Sequence, residues 1–455
     1  MAAPVLSPFA KFIADAQQAT FDENVLHAAK RCLLDYMGAT IPGGVVAPAS
    51  LLKDAFADML GQGSAFVYPG GETTDAKTAA LINGAASHTI EFDDIFRDGI
   101  YHPGVPVISA ALAVAESKNA SGEMLLRGII AGYEVSNRIA RTVNPAHYAY
   151  WHTTGTVGTF GAAAAAATIL QLSEEQALNA LANAGTLAAG LQQAFRGDAM
   201  SKPMHGGHAA ETGITCALSA KAGVTGVQDM LEGERGFGKA MCDDPDWTNV
   251  ASGLGPEFTI TKTTTKNHAA CGHAHAAIDA AAELQAKHNF RPEDVDRIDA
   301  GTYGPAVEIV GNQEITTAFE AKFSLPYCVA VMLTTGSCRT AAFEPALLSD
   351  ENILALAKRI FVSMDTSCDD AFPKQRSATV TIQLMNGDTF SHHAPTRKGD
   401  PDAPLSDDEL SEKYRELSAP VIGESHASEL EDRIWKVETL GNVAALYPSL
   451  TAAAE

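Results

Sequence analysis

Apolar residues recur at three- and four-residue spacing through most of the first 260 positions, a rhythm that predicts a helical array. Over 20–42, Val25, Ala28, Ala29, Cys32, Leu33 and Met37 fall on one face, Thr20 and Glu23 have capping-box spacing, and Gly43-Gly44 ends the segment. The same rhythm predicts helices over 74–90, 105–117, 122–142, 155–171, 174–190 and 206–223, with Ser173 and Gln176 capping the one at 174. Many are rich in Ala and Gly, which lets helices approach one another closely.

The pattern changes near residue 258. "FTITKTTTK" reads as extended, 273–288 as a helix and "VDRIDAGTYG" as a short strand. In "SATVTIQLMNGDTFSHH", Val380, Ile382 and Leu384 alternate with polar residues, and Asn386-Gly387 supplies a hairpin turn. Helical stretches at 324–335 and 351–361 lie between these strands. Ser406 and Glu409 cap a last helical region whose apolar positions (Leu430, Ile434, Val437, Leu440, Leu446) suit a return to the helical array. The expectation is a mainly α protein, with an all-helical domain over 1–262 and 398–455 and a smaller α+β domain over 263–397.

Composition narrows the partners. The 455 residues carry a net charge of −23, which argues against nucleic acid or an anionic membrane surface. An anionic substrate would need cations concentrated locally. Seven scattered cysteines without a CxxC read as reduced thiols of a cytoplasmic protein. No secretory signal and no apolar span of about 20 residues stands out.

Four stretches carry candidate chemistry. "EFDDIFRDGIYHPG" groups Glu91, Asp93, Asp94 and Asp98 with His102; it reads as a metal or acid/base site, or as a solvated acidic loop. In "YWHTTGTVGTFG", His152 precedes a helix start whose N–H groups suit an anion, though a plain capping segment fits too. "SKPMHGGHAAETG" sets Lys202, His205 and His208 at another helix start, without an HExxH pattern. Tyr327 opens an apolar helix, as a core tyrosine or as a proton donor.

"KNHAACGHAH" holds Lys266, His268, Cys271, His273 and His275. It looks like a metal cluster, but residues two apart on a helix point to different faces, and no second ligand pair follows. A zinc hydrolase is therefore a minor reading.

Taken in order, "LLDYMGATIPGG", "NGAASHTIEFDDIF…HPG", "GYEVSNRIAR", "WHTTGTVGTFGAAAAAA", "SKPMHGGHAAETG", "KNHAACGHAHAAID" and "KGDPDAPLSDDELSEKY" resemble the motifs of the MmgE/PrpD family along the whole chain. Its members include 2-methylcitrate dehydratases, cis-aconitate decarboxylases and iminodisuccinate epimerases. The resemblance implies a homodimer with a large helical domain and an α+β lid, the active site between them, and neither metal nor organic cofactor. It implies catalytic positions at Asp93, His102, His152 and Tyr327, and substrate contacts at Glu91, Lys202, Lys266, Cys271 and His275. The implied chemistry labilises a bond next to a carboxylate of a small polycarboxylate. His102 or His152 would be the base; Tyr327 or the other histidine would be the acid.

Loss of water gives a dehydratase of a 2-methylcitrate-like acid, and two groups on opposite faces give an epimerase. Ile95 stands where the decarboxylases resemble Asp-Asp-Thr, and Cys271 where they tend to carry histidine. Both differences point away from an itaconate-forming decarboxylase. His268 stands where the family often has tyrosine.

Overall fold

A computed structural model describes residues 3–195, 197, 199–243 and 245–447. Residues Thr264–Leu405 form one compact unit; the described chain before them and from Ser406 onward forms the other.

The first unit is a helical array around Thr153–Ile169, a helix buried along its whole length. Its sequence, TTGTVGTFGAAAAAATI, has no charged face to keep wet, so it can be packed from every side. Ala76–Thr89, Gly104–Ser117, Gly122–Val143 and Ser201–Lys221 surround it or its neighbours. Ala76–Thr89 and Ser201–Lys221 meet through glycine: a Cβ on Gly84 would lie 2.7 Å from the Gly207 Cα. That close approach brings His88, at the end of one helix, towards Lys202 and His205, at the start of the other.

The sequence places most of these helices within a turn. Ser173–Gln176 and Ser406–Glu409 form complete capping boxes. The helix expected from 206 begins a turn earlier, at Ser201, with Pro203 in its first turn where a missing N–H costs nothing. The capping box expected at Thr20 does not form, because Asp22 occupies the cap position of Glu23–Gly43.

Two expectations are corrected. The first unit is not all helical: Ala65–Val67 pairs antiparallel with Glu72–Thr74. Strands of three residues are too short to show alternation, and only the Pro69-Gly70-Gly71 turn marks them. "FTITKTTTK" is not extended throughout: Thr259–Lys262 forms a 3-10 turn. There the buried Glu134 carboxylate accepts the Thr259 N–H at 2.5 Å, its hydroxyl at 2.7 Å and the Ile260 N–H at 3.2 Å, curling the backbone about one acceptor.

The helix Asp407–Ile422 returns to the first unit and fixes the acidic loop from behind. Lys413 Nζ donates to Asp35 Oδ1 at 2.6 Å and to the Phe92 carbonyl at 2.8 Å, 4.0 Å from the centroid of the Phe92 ring.

The second unit holds a four-stranded sheet in the order Ile360–Met364, Val295–Thr302, Ala378–Leu384, Thr389–Ala394. The first pair is parallel and the others antiparallel. The hairpin turns at Asn386-Gly387 as its sequence requires, with Gly387 at φ +92°. Ile360–Met364 replaces the end of the helix expected over 351–361, which stops at Ala357. Residues 398–405 belong to this unit: Gly399 accepts the Thr265 N–H, and Lys398 N donates to Asp279.

Candidate active site

The acidic loop joins Ala76–Thr89 to Gly104–Ser117 and buries Glu91, Asp93 and Asp94 instead of solvating them, while Asp98 is exposed. Glu91 lies at φ +60°, a conformation that costs a residue with a Cβ energy and is held only where surrounding contacts fix it. There its carboxylate pairs with Lys202, both side chains buried. Lys202 Nζ also lies 5.4 Å from the Phe195 ring centroid.

Asp93 gathers two histidines. Its Oδ2 is 2.7 Å from His88 Nδ1 and 3.0 Å from His102 Nδ1. His102 Nδ1 also lies 2.8 Å from the Asp94 carbonyl oxygen. A carbonyl only accepts, so His102 Nδ1 carries a hydrogen and the basic lone pair of the neutral ring sits on Nε2. The His102 side chain is 19% exposed, whereas His88 and Asp93 are buried.

His152 caps Thr153–Ile169 and is 2% exposed; its own N–H donates to Gly190 O at 2.9 Å. Its ring stacks on His88 at 5.5 Å, and His88 meets His102 edge-on at 5.0 Å. On its other side, His152 Nδ1 is 3.1 Å from His205 Nδ1. Burial, reinforced by His88, His205, Lys202 and His102, holds the His152 pKa well below the usual imidazole value. Burial likewise pushes His88 down to about 4 against the pull of Asp93. Both rings are neutral near pH 7.

The structure thus brings together Glu91, Asp93, His102, His152 and Lys202 in the first unit. Lys266, Cys271, His275 and Tyr327 lie in the second. There "KNHAACGHAH" disperses its polar groups: His268 Nε2 is 2.8 Å from Asp279, His273 Nδ1 is 2.8 Å from the Tyr303 hydroxyl, and His275 Nε2 donates to Ala270 O at 3.0 Å. Cys271 N donates to Lys322 O, and Lys266 is buried. The Tyr327 hydroxyl donates to the Ala342 carbonyl at 2.6 Å, and burial raises its pKa.

Models of the MmgE/PrpD N-terminal and C-terminal domains match residues 7–249 and 268–439. The chain belongs to the MmgE/PrpD family. It is similar to the cis-aconitate decarboxylase-like protein oryM of Aspergillus oryzae, at 25% identity over 97% of this chain and 96% of the relative. It is also similar to the cis-aconitate decarboxylase of Aspergillus terreus, at 24% identity over 94% and 92%. The Homo sapiens cis-aconitate decarboxylase is 26% identical over 97% and 93%.

In this MmgE/PrpD chain, His88 and His205 join the cluster although neither is among the site positions that the resemblance implies. His88 sits five residues before Asp93 inside an apolar helix, and His205 shares its helix start with His208 without an HExxH pattern. The helical spacing of His88 from the loop was the available signal.

His88, Asp93 and His102 also offer three donor atoms within 4.8 Å of one another. A metal held through His102 Nδ1 would have to displace the hydrogen that this nitrogen presents to the Asp94 carbonyl, and the hydrogen-bonded arrangement already accounts for the contacts of that atom. Chelator dialysis should leave turnover of the wild-type protein unchanged. Loss of activity restored by a single added metal would overturn this reading.

Asp94 turns away from the histidines. It accepts from Tyr133 Oη at 2.6 Å and from Gly104 N at 2.9 Å. Burial pushes its carboxyl up to about 7, against the pull of both hydrogen bonds, with Asp35 and Asp93 adding to the rise. The folded chain therefore keeps this proton between the unfolded value of 3.8 and about 7. Its stabilising contribution is full below the unfolded value and lost as pH rises through 7. For Asp94→Asn, the melting temperature relative to wild type should climb between about pH 4 and about pH 7, where the wild type loses this contribution. A difference that stays flat across that range would contradict the assignment.

Proposed function

We propose that this protein is a cofactor-independent lyase that dehydrates a small tricarboxylic acid of the 2-methylcitrate type. The observation carrying the proposal is the tautomer of His102. With Nδ1–H held by Asp93 and the Asp94 carbonyl, Nε2 is a base backed by a carboxylate that stabilises the imidazolium formed on proton uptake.

His102 removes the proton α to a carboxylate. The charge that builds on that carboxylate is met by Lys202, whose position Glu91 fixes. His152 stays neutral and donates a ring N–H to the departing hydroxyl, a role for which a neutral imidazole is suited. These roles rest on residues of the first unit alone.

A second reading is decarboxylation of cis-aconitate, favoured by the activity in the relatives' names. Ile95 and Cys271 stand against it at the positions where the decarboxylases tend to carry a hydroxyl and an imidazole. Incubation with citrate, isocitrate, the 2-methylcitrate stereoisomers and cis-aconitate separates the outcomes. Dehydration raises ultraviolet absorbance through a new alkene, decarboxylation releases carbon dioxide, and epimerisation exchanges the α hydrogen without losing a group. Release of carbon dioxide from cis-aconitate with no dehydration of any hydroxy acid would replace the first reading by the second.

A further inference from the structure

His205 is not among the site positions that the family resemblance implies, yet its ring meets His152 nitrogen to nitrogen. With the two Nδ1 atoms 3.1 Å apart, one carries the hydrogen and the other accepts it. His152 is buried, whereas His205 is half-buried and lies one turn from His208, whose side chain is 42% exposed. The backbone is cut away to admit this ring. Gly155 would place a Cβ 3.0 Å from the His205 Cβ and 2.6 Å from Ala189 O. Gly190, at φ +138°, would place one 3.3 Å from His205 Nδ1. The Gly190 carbonyl that holds the His152 N–H is part of the same arrangement.

We propose that His205 is a relay residue that exchanges protons between solvent and the buried His152. The proposal rests on the reading that His152 gives a proton to the leaving hydroxyl. Its steps balance without a further reactant. A solvent or buffer acid protonates His205 Nε2, the His205 Nδ1 hydrogen passes to His152 Nδ1, and the His152 Nε2 hydrogen passes to the departing oxygen. Water leaves, and both rings end neutral with their tautomers exchanged. The reverse sequence resets them. His152 therefore never has to hold a full positive charge in its buried position.

The test is His205→Gln. The glutamine amide can still hydrogen-bond to His152 Nδ1, but it cannot take up and release a proton. With whichever tricarboxylate the wild type turns over, kcat of the variant should fall about tenfold or more, within the range for a lost proton-transfer group. Added imidazole at constant ionic strength should restore it in a saturable way, while the wild type stays insensitive. An unchanged kcat, or a loss that no buffer repairs, overturns the relay.

A second measurement needs no substrate. In protein labelled with ¹⁵N-histidine, exchange of the His152 ring N–H with water should slow about tenfold in His205→Gln, matching the loss of the relay group. Equal exchange rates in the two proteins overturn the relay. If the wild type is inert towards every tricarboxylate, the dehydratase reading fails, and the exchange rates still decide for or against the relay.

Discussion

His102→Ala is expected to reduce turnover by at least ~10²-fold, the usual worth of a positioned general base, with little change in melting temperature. The ring is partly exposed, and its two Nδ1 acceptors remain otherwise occupied after truncation: Asp93 by His88, and the Asp94 carbonyl by water entering the space. Loss of function without loss of fold is the signature of a residue that acts through its Nε2 and not through packing. Asp93→Asn should be the less selective variant, because it disturbs His88 and His102 together. A His102→Ala enzyme that keeps near-normal kcat would remove the base from the proposed mechanism.

Lys413→Met is expected to be strongly destabilising, costing about 3–5 kcal/mol, because it removes the Lys413 ammonium from the buried Asp35 carboxylate. The same change frees the Phe92 carbonyl and removes the ammonium from the Phe92 ring, so the loop carrying Glu91 and Asp93 loses its anchor. Turnover should therefore drop along with stability, although Lys413 is placed in no chemical step. Adding Asp35→Leu to Lys413→Met removes the buried carboxylate as well and should restore much of the stability without restoring turnover. Chemical denaturation of the single and double variants measures this. Equal stability of Lys413→Met and wild type would mean that the ion pair does not hold the loop.

The long helices were legible because their apolar spacing persists over three or more turns and their caps are local. Ser173 with Gln176 and Ser406 with Glu409 need only their own segment to form. What the sequence hid is set by distant partners. Thr259–Lys262 curls because Glu134, more than a hundred residues earlier, collects its N–H groups. Ile360–Met364 becomes a strand because Val295–Thr302 offers it a parallel edge, which no local pattern records. The site divides in the same way. Asp93, His102, His152 and Lys202 fall in motifs dense enough to be noticed. His88 sits among alanines on a buried helix, and His205 gains its meaning only from the 3.1 Å approach to His152. The conspicuous cluster at Lys266–His275 runs the other way: its histidines are tied singly to Asp279, Tyr303 and the Ala270 carbonyl.

The most direct test of proton abstraction next to a carboxylate is NMR in deuterium oxide. Wild type and His102→Ala would each be incubated with the tricarboxylate panel, and the α hydrogens of substrate and product followed. The wild type should form an alkene product and return deuterium to the α position of remaining substrate, while His102→Ala does neither. Product formation by wild type with His102→Ala exchanging the α hydrogen at the same rate would contradict the account.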